Sequence, residues 1–381
     1  MKKALLVASV ISFIEWFNRD NIEYLLNDLH CEVHVACNLD YMDDTDPIRT
    51  TEYVEKMKNC GVVFHNVAFE RSPLSGKNIS AFKALKKIID SERFDLIHCH
   101  TPTASILTRM AAIGARKHGA KVIYTAHGFH FFKGAPKKNW LLFYPIEKFC
   151  SRFTDVLITI TSEDYELSKK KMKSKAVEYV PGVGVDIDKF RCSVDRDEKK
   201  NELGISEDDF VVFSVGELNE NKNHETVIRA IAQIGNPAIR YMIAGKGDKA
   251  EYLENLAKEL NVRLNLLGFR KDIPEIIGVS DVFAFPSHRE GLSKALMEAM
   301  AAGLPCVVSQ IRGNDDLIDK NGGFLCDSHD IPAFADSILE LYNHSDMCRQ
   351  MGDYNSEKVH TFSRQTVNGM MFEIYKKMIE A

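Results

Sequence analysis

Two glutamates, Glu290 and Glu298, stand eight positions apart in the stretch FPSHREGLSKALMEAMAAGLPCVVS. Carboxylates accept hydrogen bonds, so their spacing decides whether they can serve one ligand. At 3.6 residues per turn, eight positions on one helix leave two side chains about 80° apart. Both reach one ligand only if Glu290 sits on the loop before the helix. The turn Gly291-Leu292-Ser293 permits this and aims unpaired backbone N–H groups at an anion. A cation stands in Gly216-Glu217-Leu218-Asn219-Glu220-Asn221-Lys222-Asn223-His224, where Lys222 lies between an apolar run and a helix pattern. There an ammonium can meet a diphosphate as a point charge. The fourth group is His127, in Tyr124-Thr125-Ala126-His127-Gly128-Phe129-His130 at the end of another apolar run. Imidazole in that position can hydrogen-bond a ligand near neutral pH.

Repeated strand and helix patterns must position these groups. In the first half, Val- and Ile-rich runs at 4–10, 32–37, 62–67, 94–100, 121–126 and 155–160 read as strands. Amphipathic runs at 79–91 and 103–118 read as helices. In the second half the strand patterns are 210–216, 240–244, 263–267, 281–285 and 306–309. The pattern holding Glu298 ends at Gly303-Leu304-Pro305, a helix stop. Strand, helix, strand in repeated order predicts α/β architecture with parallel sheets, whose ligands bind at the carboxyl ends of the strands. The rhythm breaks near Pro181-Gly182-Val183-Gly184. Two Rossmann-like domains with a cleft between them are therefore expected, 1–184 and 185–360, followed by a terminal helix within 361–381.

The 381 residues suit two cores, and 45% hydrophobic with 27% charged content describes a globular protein. A net charge of −5 gives no global attraction to nucleic acid. The nine cysteines show no C-x-x-C pair and no zinc spacing, which reads as reduced thiols in a cytosolic compartment. The start, MKKALLVASVISFIEW, imitates a short signal peptide but fits a first buried strand better. No apolar run is long enough to span a bilayer. No G-x-G-x-x-G opens either half, which disfavours a nicotinamide dehydrogenase.

The string E-G-L-S-K-A-L-M-E-A-M-A-A-G-L-P resembles the E-x7-E motif of glycosyltransferase family 4, retaining enzymes of the GT-B fold. T-A-H-G-F-H-F with V-G-E-L-N-x-N-K-N-H is most similar to bacterial transferases of capsule, exopolysaccharide and lipid-linked glycan assembly. The resemblance implies that the second domain binds a UDP-sugar. It implies that Glu290 holds donor-sugar hydroxyls and Glu298 the ribose. Lys222 and the amides of Gly291, Leu292 and Ser293 would meet the diphosphate, and His127 would lie beside the transferring sugar. Catalytic roles then fall to His127, Lys222 and Glu290. The glycine loop at Gly245 and the pair Phe269-Arg270 would border the donor and its uracil; a core position for Phe269 is equally compatible. Family 4 usually places an arginine where this chain has Glu217, which shifts the diphosphate's charge onto Lys222. The first loop, Ser9 to Phe13, lacks the family's paired glycines. His100 is either ligand-facing or structural.

Asp186-Ile187-Asp188 imitates a D-x-D metal motif but reads as a turn. No metal and no cofactor beyond the donor itself are expected. The first domain would bind the acceptor, a polyprenyl-diphosphate saccharide. Aromatics Phe131, Phe132, Trp140 and Phe143 interleave with Lys133, Lys137 and Lys138, and five lysines fall within 169–175. Such regions suit the inner leaflet of an anionic membrane, to which the protein would attach peripherally from the cytoplasm. A solvated helix face with core aromatics is the other reading. Two further functions fit the same residues: a nucleotide-sugar 2-epimerase, and a non-catalytic sugar-nucleotide-binding subunit.

Overall fold

A computed structural model describes residues 1–40, 47–70, 72, 75–191 and 195–380. The chain forms two compact units, Met1–Val183 with Val367–Ala381, and Gly184–Thr366. The first unit holds β1 (Lys3–Val10), β2 (Glu32–Asn38), β3 (Val63–Asn66), β4 (Leu96–Cys99), β5 (Lys121–Ala126), β6 (Val156–Thr159) and β7 (Ala176–Tyr179). The second holds β8 (Phe210–Val215), β9 (Ile239–Ala244), β10 (Arg263–Gly268), β11 (Val282–Phe285), β12 (Cys306–Ser309) and β13 (Gly323–Cys326). The sheet orders are β3-β2-β1-β4-β5-β6-β7 and β10-β9-β8-β11-β12-β13, with every pairing parallel. Each sheet is doubly wound. Its order reverses between β1 and β4 in one unit and between β8 and β11 in the other.

Alternating residues feed the two faces, as a pleated strand requires. Leu6 belongs to one core of the first unit, and Leu5 and Val7 to the other. In the second unit Val211 and Phe213 face one core and Val212 the opposite one. Two short strands, β7 and β13, had no strong apolar pattern; both lie at sheet edges. The pattern at 103–118 is two helices, Pro102–Ala111 and Ile113–Lys117, because Ala112 relaxes to ψ −3°. The segment expected as a first loop is not one. β1 runs through Val10 and a helix starts at Ile11, with an irregular register between Val7 and Val10 against β2.

The terminal helix, Arg364–Glu380, buries Val367, Met371 and Tyr375, spaced four apart, in the core that also holds Ile14 and Val35. Tyr375 Oη lies 2.6 Å from His98 Nδ1, and Thr125 Oγ1 lies 2.8 Å from His98 Nε2. Asn368 donates to Asp20 at 2.8 Å. A strand-buried imidazole thus ties the last helix to the middle of the first sheet. The eight described cysteines are free thiols. Among the described residues no helix is long and apolar enough to cross a membrane.

Burial disfavours the imidazolium of His98, pushing its pKa from 6.5 to about 3, and repulsion from His127 acts in the same direction. His127 is lowered by burial to about 4, and His100 falls well below 6.5 for the same cause. The unfolded chain binds protons at these sites near pH 6.5 while the folded chain does not. Stability is therefore complete above pH 6.5 and falls as the pH drops toward 4. In denaturant titrations, His98→Gln should flatten this dependence by up to about 1.4 kcal/mol per pH unit. An unchanged slope would show that His98 is protonated in the folded state.

Candidate active site

The polar cluster of the second unit is assembled from loops after β8 and β11, the two strands at its point of reversal. Loop backbones need partners, and three alternating asparagines supply them. Asn219 Oδ1 accepts from the N–H of Lys222 at 3.0 Å. Asn221 Nδ2 donates to the Arg289 carbonyl at 3.0 Å, and the Asn221 carbonyl accepts from His288 N–H at 2.8 Å. Asn223, at φ +53°, donates to the carbonyls of Pro286 and Ser328. Asparagine tolerates this left-handed backbone better than most residues. The segment N-E-N-K-N is thus sewn onto the segment that leads into Glu290.

This seam sets Lys222 against Glu290, Nζ to Oε1 at 2.6 Å, with both side chains mostly buried. The ammonium also lies 4.8 Å from the Phe285 ring centroid. Gly216 leaves room for the lysine stem: a Cβ there would sit 3.2 Å from Lys222 Cε. Glu290 is on the loop and Glu298 in the helix Lys294–Ala301. Ser293 caps that helix, its Oγ accepting from Leu296 N–H at 3.3 Å. Leu292 packs against the core, and the remaining first-turn N–H groups have no partner within the helix. Gly313, at φ +86°, lets the next loop pack on this turn; a Cβ there would meet the Gly291 carbonyl at 1.6 Å. From that loop the Arg312 guanidinium reaches the Glu290 carbonyl at 3.5 Å.

The Glu298 carboxyl is mostly buried, with Lys294 Nζ at 3.6 Å. Burial raises its pKa, and the Lys294 charge opposes that shift. It is an acceptor held in a dry setting, where a hydroxyl donor counts for more than in water. Glu217, in place of the usual arginine, is exposed and accepts from Asn219 Nδ2 at 2.7 Å.

Two expected donor contacts are engaged elsewhere. The Gly245 N–H donates to the Gly268 carbonyl at 2.8 Å, and a Cβ there would collide with the Gly216 carbonyl at 1.8 Å. That glycine serves the approach of two loops. Arg270 is clamped by Asp272 and by Glu202, the latter at 2.6 Å, because both carboxylates lie within its reach. These bonds engage its Nε and Nη2. Phe269 is not core: it is 68% exposed, so its ring face is available.

His127 follows β5 in the first unit. Its Nε2 lies 3.2 Å from His100 Nδ1, and its ring meets Phe13 edge-on at 4.8 Å. His100 is fully buried and is a structural partner of His127. With a pKa near 4, His127 is neutral at physiological pH, which suits hydrogen bonding.

Asp186 caps the helix Ile187–Phe190 by accepting from Lys189 N–H at 3.4 Å, as a turn requires. Ligand atoms of Glu32, His34 and Glu92 lie within 4.8 Å of one another. Lys3 Nζ stands 3.0 Å from Glu32 and 2.9 Å from Glu92, so an ammonium already bridges that pair. The asparagine seam and Arg312 escaped the sequence reading. Asparagine at alternate positions in N-E-N-K-N was the available signal; Arg312 had none.

The chain matches two family descriptions, "Glycosyl transferase 4-like" over residues 8–161 and "Glycosyl transferases group 1" over residues 195–358. It is 36% identical over 391 residues to EpsD of Bacillus subtilis (strain 168), named as a glycosyltransferase, covering 100% of this chain and 97% of that one. It is 34% identical over 287 residues to the UDP-Gal:alpha-D-GlcNAc-diphosphoundecaprenol alpha-1,3-galactosyltransferase of Escherichia coli, covering 71% and 73% of the two chains. Among solved structures, Anabaena Alr3699/HepE in complex with UDP superposes with a TM-score of 0.79 at 19% identity, covering 99% of this chain and 100% of that one. These likenesses join the doubly wound units and the Glu290–Glu298 stretch into one conclusion: the chain belongs to glycosyltransferase family 4 and has the GT-B fold.

Proposed function

We propose that this glycosyltransferase moves a hexose or N-acetylhexosamine from a UDP-sugar to a polyprenyl-diphosphate-linked saccharide, with retention of configuration and without a metal. The observation that carries the reading is the Lys222–Glu290 pair at the carboxyl ends of β8 and β11, followed by Glu298 on the next helix. A UDP-bound structural neighbour and a relative acting on a diphosphoundecaprenol substrate support it. Assembly of a bacterial capsule, exopolysaccharide or surface glycan is the setting we infer.

In this mechanism, negative charge grows on the diphosphate oxygen as the glycosidic bond breaks. Lys222 and the first-turn amides near Ser293 stabilise that charge, a preorganised electrostatic contribution. Glu290 exchanges its bond to Lys222 for donor-sugar hydroxyls, which frees the ammonium for the diphosphate. Glu298 accepts from ribose hydroxyls. The acceptor hydroxyl attacks from the face that the leaving group vacates and passes its proton to the departing diphosphate oxygen, so the anomeric configuration is kept. His127 hydrogen-bonds the transferring sugar as a neutral imidazole.

Peripheral membrane attachment belongs to the same proposal, with a corrected surface. Phe131 is fully buried, and Trp140 and Phe143 pack on the core. The exposed apolar positions are Leu141, Leu142 and Phe149 on the helix Lys137–Cys150, beside Lys137, Lys138 and Lys148. Of the five lysines in 169–175, Lys175 pairs with Asp155 at 2.7 Å and Lys170 lies 3.5 Å from Glu166. The helix 137–150 is therefore the better anchor.

The test is UDP release and product formation from a panel of UDP-sugars with a lipid-linked saccharide, with and without EDTA. Turnover unchanged by EDTA is expected; loss of turnover restored by magnesium would overturn the metal-free mechanism. Lys222→Ala should lower kcat by about 100-fold or more. Glu298→Ala should act mainly on the donor KM, by about tenfold. A Lys222→Ala enzyme with normal kcat would remove the lysine from the chemistry.

A further inference from the structure

The first unit contains a cavity of about 480 Å³ at the carboxyl ends of β1 and β4. Its size falls within the range of small-molecule sites. Phe13, Trp16 and Phe17 of the helix Ile11–Phe17 form one wall; Ile106, Phe143 and Ile146 form another. Polar groups along its edge are satisfied by the protein. Ser9 Oγ and Thr101 Oγ1 bond each other at 2.7 Å. Glu147 is paired with the buried Arg109 at 2.8 Å, and Arg109 also donates to the Ser105 carbonyl and lies 4.2 Å over the Tyr124 ring. A saccharide is recognised by polar groups placed against its hydroxyls. These walls present rings and methyl groups instead.

The apolar surface continues out of the cavity. Phe143 and Ile146 line it, and Leu142 lies about 40° around the same helix from Ile146, with Phe149 almost directly below Leu142. Leu141 is 80% exposed, Leu142 and Phe149 are exposed too, and Trp16 at the cavity lip is 54% exposed. Cations stand at the other end of the arrangement. Lys137 and Lys138 open this 14-residue helix, about one and a half turns before Phe143, at its positive end. Cations, cavity-lining side chains and exposed apolar side chains are carried by one element. An anionic diphosphate joined to a hydrocarbon chain that enters a bilayer combines the same chemistries.

We propose that this cavity binds the first isoprene units of a prenyl diphosphate, the lipid end of the acceptor. This rests on the lipid-linked acceptor proposed above and adds the place where the lipid is held. The enzyme then selects its acceptor by the hydrocarbon as well as by the sugar. Trp16 acts as the movable rim, and the volume beside Ile106 limits how much chain enters.

Calorimetric titration of the full chain with inorganic diphosphate, geranyl diphosphate and farnesyl diphosphate, without membranes, tests this. Affinity should rise from inorganic to farnesyl diphosphate by about tenfold or more, as apolar surface leaves water. Ile106→Trp, which fills the cavity, should abolish that rise. Trp16→Ala should weaken farnesyl diphosphate binding about fivefold while leaving the melting temperature and UDP binding unchanged, since an exposed side chain contributes little to the fold. Equal affinity for the three ligands, or equal binding by wild type and both variants, would overturn the proposal. A lipid-free saccharide diphosphate binding as tightly as its prenylated form would assign the cavity to sugar. Prenyl binding with no sugar transfer to any lipid-linked acceptor would instead count against the transferase mechanism and leave the lipid site standing.

Discussion

Reversal of strand order at the centre of each parallel sheet is the constraint on which the chemistry depends. Where the order turns, successive connections leave to opposite faces of the sheet, and the loops at the carboxyl ends diverge around a gap. In the second unit the gap lies between β8 and β11, with Lys222 on one side and Glu290 on the other. In the first it lies between β1 and β4, and the apolar cavity occupies it. The same topology thus makes a charged recess in one unit and a hydrocarbon-lined one in the other. The loops decide which.

Loops can hold a cation in place only if their own backbones are satisfied first. The asparagines around Lys222 do this: Asn219 takes up a main-chain group of its own loop, and Asn221 and Asn223 take up those of the neighbouring segment. The ammonium then meets Glu290 at 2.6 Å. Arg270 shows the opposite outcome. Its guanidinium carries the same charge at the mouth of the same sheet, but Asp272 two residues on and Glu202 hold its Nε and Nη2. Position at a strand end makes a cation a candidate; the carboxylates within reach determine whether it can serve a ligand.

The first unit depends on burying imidazoles. His98, His100 and His127 stand in contact, with ring centroids 4.1 Å apart for the first two and 5.4 Å for the second pair. Tyr375 reaches the first of them from the far end of the chain. Low polarity keeps all three neutral, so they pack as flat polar rings rather than repelling cations. The cost appears as acid sensitivity. The gain is that His127 is fixed by neighbours on several elements, with a hydrogen-bonding ring that does not change charge near neutral pH.

Much of this was readable from local pattern. Alternating apolar runs marked most of the strands, because a buried parallel strand needs little beyond its own β-branched residues. The stop at Gly303-Leu304-Pro305 placed Glu298 on a helix, and the Gly291 turn placed Glu290 before it, since both depend on a few adjacent residues. Of the four edge strands, β3 and β10 were legible but β7 and β13 were not, because neighbours rather than composition make those two strands. Phe131 and Leu141 illustrate the same limit: ten residues apart in one aromatic and basic stretch, one is core and the other solvent-facing, which only packing decides. By itself the sequence determined the two-fold α/β plan and the acidic pair, features encoded within short windows. Tertiary structure alone decided which partners those charges take, because Lys222 meets Glu290 across 68 residues and His98 meets Tyr375 across 277.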